Sequence, residues 1–245
     1  MNTKNLAWFA VMGTAATVAA QADVVNYNNT VDSPAFIQPW GTGVGSTYTY
    51  GETFVAPGTG PFTSLNDFTF YLMAVSDPGT TTYFQADVYA WTGDLVGVNA
   101  GHATGSPLFS QNSSITGDGT LQAVTINTGG SAVLNTGDDY VAFFTVSDPT
   151  SLAANGANHT AFQYALGAGG LHGHSPADGG GAFEFYNNAT LDQLTSSVWE
   201  NFSDFGSLAW NADFDYTPTP TPEPGTLALV GLGLAGMVAA RRRVK

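Results

Sequence analysis

The chain has 245 residues, with 5 Lys+Arg against 19 Asp+Glu, no cysteine and a formal net charge of −14. All five basic residues sit near the two ends, at Lys4, Arg241, Arg242, Arg243 and Lys245, and Glu223 is the one acid outside residues 23 to 222, so the body carries 18 carboxylates and no Lys or Arg. This composition excludes nucleic-acid binding, which needs basic side chains to neutralise phosphates, along with disulfide staples and thiolate chemistry, and it argues against phosphoryl transfer or recognition of anionic sugars.

In chain order, Lys4 is followed by an uncharged apolar run from Leu6 to Ala20 and by Ala20-Gln21-Ala22 ahead of Asp23. This pattern predicts a secretory signal peptide over residues 1–22, cleaved at the small-residue site formed by Ala20 and Ala22. Residues 23–216 then make one domain of roughly 200 residues, large enough to bury a core without disulfides.

That domain is rich in Thr, Ser, Asn, Gly and aromatics, and short alternating runs dominate it. They predict strands at Val24–Tyr27, Tyr48–Val55, Phe68–Val75, Tyr83–Trp91, Leu108–Ser110, Leu121–Ile126, Tyr140–Val146, Ala161–Leu166, Ala182–Tyr186 and Leu208–Tyr216, each bounded by turn formers. Many short strands of this kind predict an all-β fold, an antiparallel β-sandwich or jelly-roll-like domain. One short helix is expected over Ala189–Phe202, where Leu191, Leu194 and Val198 recur at helical spacing and Asn188 is placed to cap.

The strand from Tyr83 to Trp91 is the clearest. Phe84, Ala86, Val88 and Ala90 alternate with Tyr83, Gln85, Asp87, Tyr89 and Trp91, so the small apolar set faces inward and the aromatic and polar set faces outward. A tight turn at Thr92-Gly93-Asp94 then predicts a hairpin. The outward set, Tyr83, Gln85, Asp87, Tyr89 and Trp91, is a candidate ligand face, because aromatic rings stack on sugars while an amide and a carboxylate bind hydroxyls. The structural alternative is that the same face packs beneath a covering loop or a second sheet.

Other chemistry-bearing residues are fewer. His172, His174, Ser175 and Asp178 lie in the glycine-rich loop Gly167–Gly181, where no Gly-x-Ser-x-Gly elbow exists and Pro176 opposes the helix one needs. A solvated loop is the plainer reading, with a His-x-His metal pair behind it. Asp118, the pair Asp138-Asp139, and Asp213 with Asp215 miss the EF-hand spacing. A body without cations suits structural Ca²⁺, yet turn chemistry already accounts for these acids, so no cofactor or metal ligand is assigned. For glycoside hydrolysis, Glu184 would pair with Asp87 or Glu52, a separation the sequence does not supply. No catalytic residue is assigned.

Beyond the domain, Thr217-Pro218-Thr219-Pro220-Thr221-Pro222 is an extended spacer. It leads to Pro222-Glu223-Pro224, the 14 uncharged residues Leu227–Ala240, and the basic cluster Arg241, Arg242 and Arg243. As a helix the apolar run is ~21 Å long, shorter than a ~30 Å hydrocarbon core, and the arginines hold its end on the cytoplasmic side.

The three parts of residues 222–245, in this order, resemble the PEP-CTERM sorting signal of bacterial exported proteins. The resemblance implies a protein carried across the inner membrane by the export machinery and held transiently by a short transmembrane helix. An exosortase-like membrane protease would then process it near Pro222, Glu223 and Pro224, and it would go to the cell surface or extracellular matrix. Gly225 departs from the Ser or Ala commoner after the motif. Such proteins are linked to extracellular polysaccharide and biofilm formation. The expected function is a non-enzymatic surface or matrix β-sandwich with weak carbohydrate contact; the alternatives are a secreted polysaccharide hydrolase and a matrix protein without a ligand.

Overall fold

The computed structural model describes residues 23–29, 31–37, 39–74, 78–95, 101–167, 183–186, 190–200 and 206–216. They form two antiparallel sheets packed face to face, the predicted all-β sandwich. In chain order the strands are β1 (Asp23–Asn29), β2 (Val31–Phe36), β3 (Trp40–Gly41), β4 (Thr49–Val55), β5 (Phe62–Ala74), β6 (Thr81–Gly93), β7 (Gly101–Thr116), β8 (Leu121–Asn135), β9 (Asp139–Thr145), β10 (Thr160–Gly167), β11 (Phe183–Tyr186) and β12 (Trp210–Tyr216), with one helix, α1 (Pro149–Asn155), after β9.

The first sheet is built on β5. One edge of β5 pairs with β8 from Phe62 to Met73, and the other pairs with β12 from Thr63 to Phe70 and then with β10 from Leu72 to Ala74. β1 closes the sheet beyond β12, its Asp23 opposite Tyr216, so the two ends of the domain lie side by side. The second sheet runs β11-β4-β9-β6-β7.

A bulge in β5 between Leu65 and Asp67 shifts the register against β12, so that Leu65 and Phe68 both point inward despite their odd spacing. Across from it, Gly129 and Gly130 adopt φ of 60° and 74°, a conformation that favours glycine, and the Thr128 hydroxyl donates to the Leu65 carbonyl.

The core between the sheets is aromatic. Phe144 of β9 lies 4.6 Å from Phe84 and 5.0 Å from Phe70 between ring centroids, with Trp40, Phe68 and Tyr164 around it. Phe84, Ala86 and Val88 of β6 are fully buried in this core and Ala90 packs against it partly buried, which together are the inward set expected from alternation.

The predicted hairpin forms between β6 and β7, but its strands end at Gly93 and Gly101, so the connection is longer than a tight turn. β7 and β8 far exceed the predicted Leu108–Ser110 and Leu121–Ile126. The helix expected over Ala189–Phe202 is corrected: within residues 190–200 it is one 3₁₀ turn at Leu191–Gln193 followed by further turns. α1 was not anticipated. It starts where Asp148 accepts from the Thr150 and Ser151 amides, with Pro149 at its first position.

Candidate functional site

The predicted ligand face divides into two parts. Tyr83 is 44% exposed and Gln85 half-buried, whereas Tyr89 and Trp91 are 8% and 6% exposed and Asp87 is fully buried. Tyr89 and Trp91 join Val141, Phe143, Tyr186, Leu194 and Trp199 in a second apolar cluster on the outer face of the β4-β9-β6 sheet, roofed by residues 191–199. The expectation of an open aromatic platform is therefore corrected. Tyr89 and Trp91 of β6 with Phe143 of β9 bury more apolar area under a cover than on a bare sheet face, and the Tyr83–Gln85 end stays accessible.

Gly51 makes the cover fit. A Cβ at that position would stand 2.7 Å from the Phe143 Cβ, so only glycine on β4 lets Phe143 lie across it and reach Trp199, 5.2 Å away between centroids.

A second feature is a cleft of about 560 Å³ at the edge of the sandwich, where the end of β6 meets Leu108 of β7 and the β8–β9 connection that crosses from one sheet to the other. This connection turns at Gly137, with φ of 85°, and supplies Asp138, while β9 supplies Asp139 and Tyr140 and β8 supplies Val133 and Asn135. Asn135 organises this end. Its side-chain amide donates to the Asp138 carboxylate at 3.0 Å, and its backbone N–H donates to the Tyr140 hydroxyl at 2.8 Å.

Partial burial, reinforced by the Asp138 charge, holds the Asp139 carboxyl above its ordinary range, and burial raises the Tyr140 phenol. Leu108 and Val133, 39% and 53% exposed, form an apolar rim, and Trp91 lines the inner end. Apolar surface beside carboxylate and amide acceptors suits a neutral, hydroxyl-rich ligand. The sequence pointed to Asp138 and Asp139 as acids but gave no sign that Leu108, Val133 and Asn135 join them, since these come from separate strands.

Of the proposed hydrolase carboxylates, Glu52 is fully buried on the inner side of β4, accepting from the Leu208 amide at 2.9 Å, and Asp87 is fully buried on the outer side of the same sheet. Glu184 lies on β11, opposite Gly51. Asp213 faces Asp67 across β12 and β5, and Asp118 accepts from the amide and hydroxyl of Thr120. Among the described residues, no three His, Asp or Glu side chains gather as a metal cluster. His172, His174, Ser175 and Asp178 lie outside the described residues, as do Ala20 and Ala22 of the signal-peptide site, Pro222, Glu223 and Pro224, and the three arginines.

The body is thus a cation-free antiparallel sandwich with an acidic and apolar edge cleft. Its delivery is specified elsewhere: residues 220–243 match the PEP-CTERM protein-sorting motif. The chain carries the sorting signal of an exported protein handled by an exosortase, and the match is confined to that segment. No curated protein and no solved structure matches the chain.

Proposed function

We propose that the chain is a non-enzymatic cell-surface or matrix protein, whose sandwich reaches the surface through its C-terminal sorting signal and there makes weak contact with neutral polysaccharide. The observation that carries the binding reading is the edge cleft, where Asn135, Asp138 and Asp139 offer acceptors to hydroxyls beside the exposed apolar rim of Leu108 and Val133. The volume, about 560 Å³, suits a short saccharide segment. A body without Lys or Arg is repelled by anionic polymers. The burial of Glu52 and Asp87 on opposite faces of one sheet supports a non-enzymatic role, since neither carboxylate meets solvent, let alone the other.

The test is retention of the full chain, in detergent, on a panel of immobilised neutral and anionic polysaccharides. Retention on a neutral polymer is expected, weakened about tenfold in an Asp138→Asn, Asp139→Asn variant by lost charge-assisted hydrogen bonds. Absence of retention on every polymer, or retention unaffected by that variant, contradicts the reading.

A further inference from the structure

Among the described residues, the carboxylates of Asp87 and Asp148 lie out of water, each with an oxygen that no donor reaches. Asp87 is fully buried and Asp148 is 3% exposed, and the Oδ2 atom of each has no hydrogen-bond partner. Their other oxygens are engaged. Asp87 Oδ1 accepts from the Gln85 amide at 3.2 Å, and Asp148 Oδ1 accepts from the Thr150 and Ser151 amides at 3.0 Å.

The topology brings the two together. On the outer face of the second sheet Asp87 pairs with Phe143 and Gln85 with Thr145 of β9, and Asp148 follows Thr145 by three residues. The helix after Asp148 packs on β6, where Asn155 makes reciprocal hydrogen bonds with the Tyr83 backbone at 2.7 and 2.8 Å. The negative charge of Asp148 acts on the Asp87 carboxyl.

A buried carboxylate with an orphaned oxygen costs several kcal/mol unless a counter-charge or proton meets it. In most proteins Lys or Arg supplies that charge, and this body has neither. The polar atoms at hand are all hard donors. Besides the two carboxylates they are the Ser110 hydroxyl, opposite Asp87 on β7, and the side chain of Gln85, whose amide nitrogen donates to both Asp87 and Ser110. Oxygen ligands of mixed charge, with no third Asp, Glu or His gathered beside them among the described residues, suit Ca²⁺ better than a transition metal.

We propose that Asp87 and Asp148 hold a Ca²⁺ ion on the outer face of the β6–β9 pair, fastening the turn before α1 to β6. The ion supplies the positive charge that the body's sequence lacks, and it makes the sandwich responsive to the Ca²⁺ level outside the cell.

The experiment is thermal unfolding of the full chain in detergent at neutral pH, first in chelator and then in CaCl₂, together with equilibrium dialysis to count bound Ca²⁺. The wild-type chain is expected to gain about 5–10 °C when Ca²⁺ exceeds its Kd a hundredfold. Asp87→Asn and Asp148→Asn are nearly isosteric and keep the Asp148 capping acceptor, so each is expected to fold in chelator and lose the Ca²⁺ response. A control carrying Asp118→Asn, Asp138→Asn and Asp139→Asn is expected to keep it. No wild-type response, a response that survives both single substitutions, or one abolished by the triple control would overturn the proposal. Should either single variant not fold, a wild-type chain that binds no Ca²⁺ in dialysis would do so equally.

Discussion

Trp199 meets Trp91 edge-on, their ring centroids 5.5 Å apart and their planes at 87°. Trp199 also contacts Phe143, and its indole N–H donates to the Leu194 carbonyl at 2.8 Å, so both its apolar body and its polar corner are satisfied within the roof. The pair makes the outer aromatic cluster a second core and not a binding surface. Trp199→Ala is expected to cost ~3–5 kcal/mol, as for other fully buried tryptophans, whereas Tyr83→Ala at the open end should change stability by no more than about 0.5 kcal/mol. Urea denaturation of the two variants checks this; equal costs would refute it.

Between the sheets, Phe144 and Phe70 touch edge to face at 5.0 Å and 87°. Each comes from a different sheet, so their contact joins the layers. A double-mutant cycle of Phe144→Leu and Phe70→Leu is expected to give a coupling of ~0.5–1.5 kcal/mol. A coupling near zero would mean that the rings are held by their surroundings and not by each other.

Acidity should stabilise the body. Burial, with a further push from Asp148, raises the Asp87 carboxyl to about 7 against the hydrogen bonds of Ser110 and Gln85, and burial also raises Asp67 and Asp139. A carboxyl raised on folding favours the protonated native state. Its stability is therefore greatest below the unfolded pKa of ~4 and is lost as pH rises through about 7. His159 runs the other way: burial lowers it, and its contribution is lost as pH falls below ~6.5. In chelator, stability is expected to fall between about pH 5 and about pH 7.5, by up to ~4 kcal/mol from Asp87 alone. Asp87→Asn should remove most of that fall; an unchanged pH profile in the variant would contradict it.

A polysaccharide hydrolase would need Glu184 to act with Asp87 or Glu52. Both partners are fully buried. Reducing-sugar release from neutral polysaccharides is expected to stay at background for the wild-type chain and for Glu184→Gln alike. Release by the wild type that Glu184→Gln abolishes would restore the enzymatic reading.

The legible part of the fold was the part where side chains alternate strongly. β6 could be read because Phe84, Ala86 and Val88 contrast with Gln85 and Asp87, and β4, β9 and β12 carry large aromatics. β7 and β8 were cut short because sheet-edge residues such as Ser113, Ser114, Thr125 and Asn127 carry little apolar signal, and because the glycine bulge at Gly129-Gly130 looks like a turn. α1 is only seven residues long with little apolar content, and the cap that starts it, Asp148 followed by Pro149, has the same residue types as a turn after a strand. The edge cleft escaped because Leu108, Val133 and Asp139 become neighbours only through pairing across the sandwich. The same limit hid the Asp87–Asp148 pair, whose members are 61 positions apart in the sequence.

Delivery to the surface by the C-terminal motif is the central claim, and the most direct measurement is mass spectrometry of the chain recovered from fractionated cells that contain an exosortase. The wild-type chain should appear at the surface or in the medium, beginning near Asp23 and ending near Pro222-Glu223-Pro224, while a chain with Pro222→Ala, Glu223→Ala and Pro224→Ala stays in the membrane fraction at its unprocessed C-terminus. A wild-type chain found in the cytoplasm, or a variant processed and released like the wild type, would contradict it.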